Sequence, residues 1–282
     1  MRRSIALLAA VATAAVLALP VAAGAAPPAN AAKRALIIGV TNYHPPTIHT
    51  QGGRGDAEAT HDLLVSDGWS EQNIRVLVDE QATAANIRAG LDWLVANSTP
   101  TSFSVFHYSG HTKQARLPAG QHDDEEFHEF LWSVDTQFIS DRELSSDMQN
   151  LRGPAWVDVA GCEAAGFDDG ISSSSRVFTG ASRETEKAYE FSSGRSVYNS
   201  LMVGALAQGL SIQQALAAAA KAAPGITAQQ EPYGPQDPVI AGGDGTQWYL
   251  APPKHAGPLG GLLPPGLLPP GLLPPGLLTP QT

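Results

Sequence analysis

The sequence predicts a three-layer α/β fold, a mainly parallel sheet of about six strands flanked by helices. Three observations carry that expectation. Runs such as "RALIIGV", "SFSVFHY" and "AWVDVAG" are apolar without alternation, as strands covered on both faces are. Segments of helical periodicity alternate with them, the pattern of strand–helix–strand crossovers. Between two compositionally unusual ends lie about 220 residues, the size of one α/β domain.

Residues 1–26, "MRRSIALLAAVATAAVLALPVAAGAA", have the layout of a secretory signal peptide: two arginines, an apolar run, then small residues. A-x-A-like cut points fall near Ala25 or Ala31, so the boundary could be 31. A membrane anchor is the competing reading, and the short alanine-rich core argues against it. The domain is expected over 33–250. "KRALIIGVTNY" (33–43) reads as a buried strand, "DAEATHDLLVSDGW" (56–69) as a helix and "NIRVLVDE" (73–80) as a short strand. "TAANIRAGLDWLVANS" (83–98) is helical, with Thr83 as N-cap and Ile87, Leu91, Leu94 and Val95 on one face. "SFSVFHYS" is a third buried strand. The acidic "HDDEEFHEFLWSVDT" follows, with "FLWSV" as a short strand inside it.

"SDRELSSDMQNL" (140–151) opens with Ser140 and Glu143 in capping-box spacing. "AWVDVAGC" (155–162) is a strand with the cysteine at its end, and "RVFTGAS" (176–182) another after a serine-rich loop. Helices are expected over 196–209 and 211–223. Residues 251–282 repeat a PPGLL unit and form a low-complexity tail that proline keeps out of helices and central strands. Its leucines offer a means of associating with a cell envelope.

The formal charge is −10, and without Arg2 and Arg3 about −12. With no Lys/Arg-rich stretch, nucleic acid is excluded as the expected partner. Stable membrane insertion is not expected either, which leaves a secreted or envelope-associated chain. The single cysteine cannot form an intrachain disulfide, so Cys162 is either a small buried hydrophobe or a reactive thiol.

His111 and Cys162 each follow directly on an expected parallel strand, so the two lie on the same edge of the sheet, where α/β sites form. A cysteine becomes a nucleophile when a histidine takes its proton or stabilises its thiolate. Gly110 and Gly161 leave room for a substrate backbone. The amides of Gly110 and Cys162 are placed to serve as an oxyanion hole.

"HYSGH" after a strand, with a strand-end cysteine 51 residues after its second histidine, resembles the caspase-like peptidases, bacterial metacaspase homologues included. "RALIIGVTNY", "GRGDAEAT", the acidic insertion and "ASRETEKAYE" are similar in order, over about residues 33–240. The resemblance implies a cysteine endopeptidase with His111 as general base and Cys162 as nucleophile, acting on proteins or peptides. It also implies a pocket for the side chain before the scissile bond (P1), with Asp56 and Ser109 at matching positions and a preference for basic residues.

Three positions depart from the family. Thr112 stands where glycine is common, "AGCEAAGF" surrounds the cysteine, and Ala160 replaces an acidic pocket residue. Asp158, two residues back on the same face, either compensates or lies deeper. The loop "DDGISSSSR" is either an activation cleavage site or a plain connection.

The resemblance further implies calcium, for which Asp123, Asp124, Glu125, Glu126, Asp141 and Asp169 offer hard oxygens; an ordinary solvated acidic loop is the alternative. No cofactor is otherwise required, and no zinc-ligand spacing is present. The rival to a peptidase is an inactive caspase-like pseudoenzyme acting as a binding module. Acyl transfer by the same pair is a third reading.

Overall fold

The computed structural model describes residues 32–116, 125–230, 234–252 and 278–280. The expected signal peptide and most of the PPGLL segment lie outside the described residues. In chain order the elements are β1 (Lys33–Gly39), α1 (Gly53–Ser66), β2 (Ile74–Val78), α2 (Ala84–Ala96) and β3 (Phe103–Ser109). Then come β4 (Thr112–Arg116), β5 (Phe127–Trp132), β6 (Phe138–Ser140), α3 (Asp141–Gln149) and β7 (Ala155–Ala160). β8 (Arg176–Gly180), β9 (Tyr189–Phe191), β10 (Arg195–Ser196), α4 (Val197–Leu206) and α5 (Ile212–Thr227) follow. β11 (Val239–Gly242) and β12 (Leu278–Pro280) are the last.

Six strands form the main sheet in the order β11-β8-β7-β3-β1-β2. All adjacent pairs are parallel except β11 against β8. The strand period of two divides the core into two layers. Ala35, Ile37, Phe103, Val105, Trp156 and Val177 face α1, α4 and α5. Leu36, Ile38, Phe106, Tyr108, Val157 and Phe178 face α2 and α3. Each of these side chains is buried, and full burial of one such group is worth about 1.5–3 kcal/mol.

The expected helix starts hold: the Thr83 hydroxyl accepts the Asn86 amide, and the Ser140 hydroxyl accepts that of Glu143. α1 begins earlier than expected, at Gly53, because its first turn packs against β1. A Cβ on Gly39 would stand 2.2 Å from the Gly53 carbonyl oxygen. Two small sheets were not expected. β4-β5-β6 grows directly from the end of β3, and β10-β9-β12 lies beside the carboxyl edge of the main sheet. β5 contains the start of the expected "FLWSV" strand, and the other strands of the two sheets are two to five residues long, too short to carry a period-two hydrophobic signal.

Candidate active site

β3 lies between β1 and β7 at the centre of the sheet. The register places Gly39, Ser109 and Ala160 in one row at its carboxyl edge. One row deeper come Ile37, His107, Asp158 and Thr179. His111 lies two residues beyond β3 and Cys162 two beyond β7. The two strand ends touch. The Gly110 carbonyl oxygen lies 3.3 Å from where a Cβ on Gly161 would stand, and the Thr112 hydroxyl donates to the Cys162 carbonyl at 2.7 Å. Thr112, which departs from the family pattern, thus links the two halves, and its methyl fills the space beside Gly161.

His111 is 2% exposed. Its ring packs on Tyr43, with centroids 4.7 Å apart, and on Trp132 at 5.8 Å. Its amide donates to the Tyr43 hydroxyl at 2.7 Å, and that hydroxyl excludes any side chain larger than glycine at 110. Nε2 lies 2.8 Å from the Ile48 carbonyl. A carbonyl only accepts, so Nε2 carries the proton and Nδ1 is left with the lone pair. Nδ1 is buried and has no hydrogen-bond partner among the described residues. Burial pushes the imidazole pKa below its ordinary value, and the nearby Lys187 charge adds to that.

Cys162 is likewise 2% exposed, and its Sγ accepts the Ala188 amide at 3.4 Å. Burial, with a contribution from the neighbouring Glu163 carboxylate, pushes its thiol up to about 12; the Ala188 amide and Lys187 oppose this. The resting pair is therefore neutral thiol and neutral imidazole, not an ion pair. Directly after the cysteine the backbone turns through Glu163 at φ 47, a left-handed conformation that costs a non-glycine residue about 1–2 kcal/mol. The Lys187 ammonium at 2.5 Å holds the Glu163 carboxylate there.

The three expected substrate-binding residues are all buried. Asp56 accepts from the Ser109 hydroxyl at 2.8 Å, and from Arg195 Nε and the Ser196 amide at 3.0 Å each. Arg195 reaches the wall of an open groove of about 500 Å³ that Thr41, Gln51, Arg54 and Gly194 also line.

Of the two readings of Asp158, the deeper one matches its position. It faces the same side as Ala160 but one row deeper, beneath α4. There its carboxylate takes His107 Nδ1 at 2.7 Å, the Thr179 hydroxyl at 2.6 Å and the Tyr198 hydroxyl at 2.5 Å. Period two fixes the face of a strand residue, not its depth, and this carboxylate ties the sheet to α4 instead of lining a pocket.

Of the residues expected to offer metal oxygens, Asp123 and Asp124 lie outside the described residues. Ligand atoms of Glu125, His128 and Asp141 lie within 4.8 Å of one another. Burial and the surrounding carboxylates of Glu184, Asp141 and Glu125 push Glu129 up to about 7. Glu125 is raised as well, by burial and then by Asp169 and Asp141. This concentration of negative charge fits a hard cation; the His128 nitrogen is not a typical calcium donor.

Several residues at the site were missed by sequence reasoning. Tyr43 carried a signal, an aromatic just past the first strand. Glu163, Lys187, Glu190 and Arg195 carried none, since each is an ordinary polar residue in a loop or short strand. Glu190 is buried and accepts the amides of Gln51 and Gly52, both at 2.7 Å.

Residues 33–157 match the family model described as metacaspase, peptidase C14 domain. The chain is 31% identical over 130 residues to Metacaspase-8 of Arabidopsis thaliana, covering 43% of this chain and 33% of that protein. It is 30% identical over 129 residues to Metacaspase-1 of Candida albicans, covering 41% and 29%. The match thus spans about a third of the length of these curated relatives. The crystal structure of protein GSU0716 from Geobacter sulfurreducens superposes with a TM-score of 0.59 at 13% identity, over 74% of this chain and 93% of that one. That likeness concerns the fold. The family match includes His111 and stops short of Cys162.

Proposed function

We propose that the chain, which matches the metacaspase peptidase C14 family model over residues 33–157, is a cysteine endopeptidase using His111 and Cys162. The observation that carries this reading is the tautomer of His111. Its Nε2–H is committed to the Ile48 carbonyl, which leaves Nδ1 with a buried lone pair two residues beyond β3, while the thiol of Cys162 lies two residues beyond the neighbouring β7.

When a peptide reaches Cys162, Nδ1 takes the thiol proton as sulfur attacks the scissile carbonyl. The amides of Gly110 and Cys162 receive the oxyanion. Collapse expels the amine, which takes the proton from the imidazolium. Water, deprotonated by Nδ1, then hydrolyses the thioacyl bond and regenerates the thiol. Because the thiol rests near 12, proton transfer must accompany attack; a standing thiolate is not available.

Selectivity for basic P1 residues would fall to Asp56, and the Arg195 guanidinium already answers that charge. The pocket is therefore proposed to accept basic side chains weakly. Calcium is proposed to bind at the Glu125 and Asp141 carboxylates, stabilising the β4–β6 region by relieving their repulsion; an unchanged melting temperature on adding calcium would reject this. Residues 1–26 are proposed to direct export to the exterior or the cell envelope. Recovery of a mature chain starting near residue 27 or 32 outside cells checks it. Among the described residues, no helix is long and apolar enough to cross a membrane.

The burial of both groups favours one rival, a pseudoenzyme that binds a partner without turnover. Assay of the purified chain on peptides with Arg, Lys, Gln and Asp at P1, alongside Cys162→Ala, separates them. Turnover lost in Cys162→Ala supports the peptidase. No turnover above Cys162→Ala, together with no labelling of Cys162 by a thiol-reactive peptide, sinks it.

A further inference from the structure

β9 is the middle strand of the small sheet β10-β9-β12. One edge takes β10, the strand before α4, in antiparallel register. The other takes β12, a strand from the far end of the PPGLL segment, with Leu278 opposite Phe191, Thr279 opposite Glu190 and Pro280 opposite Tyr189. Without β12, that edge would present unpaired amides and carbonyls, a ready template for an extended peptide.

The edge lies next to the chemistry. β9 begins one residue after Ala188, whose amide points at Cys162 Sγ. Its central residue, Glu190, holds the Gln51 and Gly52 amides, in the loop whose Ile48 carbonyl fixes His111. The direction matters as much as the place. From 278 to 280, β12 runs from Phe191 toward Tyr189, and so toward Ala188 and the sulfur. A peptide laid on this edge in that sense approaches the nucleophile with its carbonyl end leading, as the acyl half of a substrate must.

We propose that Leu278–Pro280 is a built-in occupant of the outer edge of β9, the edge an extended substrate of the proposed peptidase would use, and that it competes there with peptides in trans. This rests on the peptidase reading for its catalytic consequence, but the docking itself does not. The covalent length of the 26 residues from 252 to 278 sets an upper reach of about 90 Å. Three paired residues bind weakly. Tethering supplies them at an effective concentration in the millimolar range, enough to fill the edge against dilute peptides. Pro280 has no amide to donate, which keeps this pairing short and displaceable by a peptide that pairs through more of its backbone.

The test compares the full chain with a variant lacking residues 276–282 and with Thr279→Pro. Both changes lie outside the main sheet and its helices. The expected result is a KM for an extended peptide lowered about five- to tenfold in both variants, with kcat unchanged. The free peptide GLLTPQT at millimolar concentration should then restore competitive inhibition in the shortened chain. An unchanged KM, with no competition by that peptide, overturns the proposal. A second measurement needs no turnover: fluorescence polarisation of labelled GLLTPQT with each form in the Cys162→Ala background. Tighter binding to the shortened chain upholds the docking edge even if no form hydrolyses anything, in which case only the peptidase reading has failed. Equal binding to both forms overturns the occupancy.

Discussion

The region up to about residue 157 and the region that follows it make unequal contributions to one site. The first carries His111, Tyr43, Asp56 and Ser109, and it is the part that matches the metacaspase family. The second carries Cys162, Glu163, Lys187, Glu190 and Arg195, and supplies the thiol, the charges around it and the docking strand β9. The difference teaches that the proposed base and the proposed nucleophile are set under separate constraints. Aromatic packing and one backbone carbonyl fix the histidine. The thiol, by contrast, is suppressed by burial and an adjacent carboxylate.

The largest expected effect would break the comparison outright. Cys162→Ala and His111→Ala should each lower kcat/KM by at least about 10³-fold, and the double variant should be no worse than either single one. If His111→Ala removed activity while Cys162→Ala kept it, the second region would hold no nucleophile and the sulfur would be only a buried hydrophobe.

The pH dependence sharpens the division. A thiol near 12 is almost wholly protonated at pH 7, so alkylation by iodoacetamide should rise about tenfold per pH unit from 7 to 10 without a plateau. With one cysteine in the chain, mass spectrometry of the intact protein reads this directly. A plateau near pH 7 would mean a standing thiolate–imidazolium pair. His111 has its pKa lowered, so the acid limb of kcat/KM should fall below pH 6.5, activity being lost only as Nδ1 gains a proton.

Asp158 tests where the boundary between site and core lies. Asp158→Ala leaves His107, Thr179 and Tyr198 without their shared acceptor and should cost about 3–5 kcal/mol in urea denaturation. Unchanged stability with altered P1 selectivity would instead return this carboxylate to the pocket.

The contrast between the regions also explains what the sequence made legible. β1, β3 and β7 are long apolar runs, so their parallel arrangement, and with it the placement of His111 and Cys162 just past two neighbouring strand ends, followed from pattern and topology. β4 is polar, β9 is only three residues long, and β12 lies in a repeat that reads as irregular; their pairing depends on what they meet in space. The Asp56–Arg195 pair joins residues 139 apart, and neither neighbourhood announces the other. Thr112 read as a departure from the family, but its role needed the Cys162 carbonyl to be seen opposite it.

Arg195 gives the smallest effect and the finest probe of how the regions cooperate. Its guanidinium comes from β10 in the second region and answers a carboxylate of α1 in the first, while Asn199 takes its Nη2 at 2.6 Å. Arg195→Ala removes the counter-ion and leaves Asp56 with the Ser109 hydroxyl and the Ser196 amide. A substrate arginine would then find an unanswered carboxylate. The ratio of kcat/KM for Arg over Gln at P1 should rise about tenfold, some 1.4 kcal/mol of differential binding. Arg195→Lys keeps the charge and should leave the ratio near wild type, which separates electrostatics from lost packing. If Arg195→Ala folds, cleaves peptides and shows an unchanged ratio, Asp56 serves only to join α1 to β10, and selectivity is set elsewhere along β9.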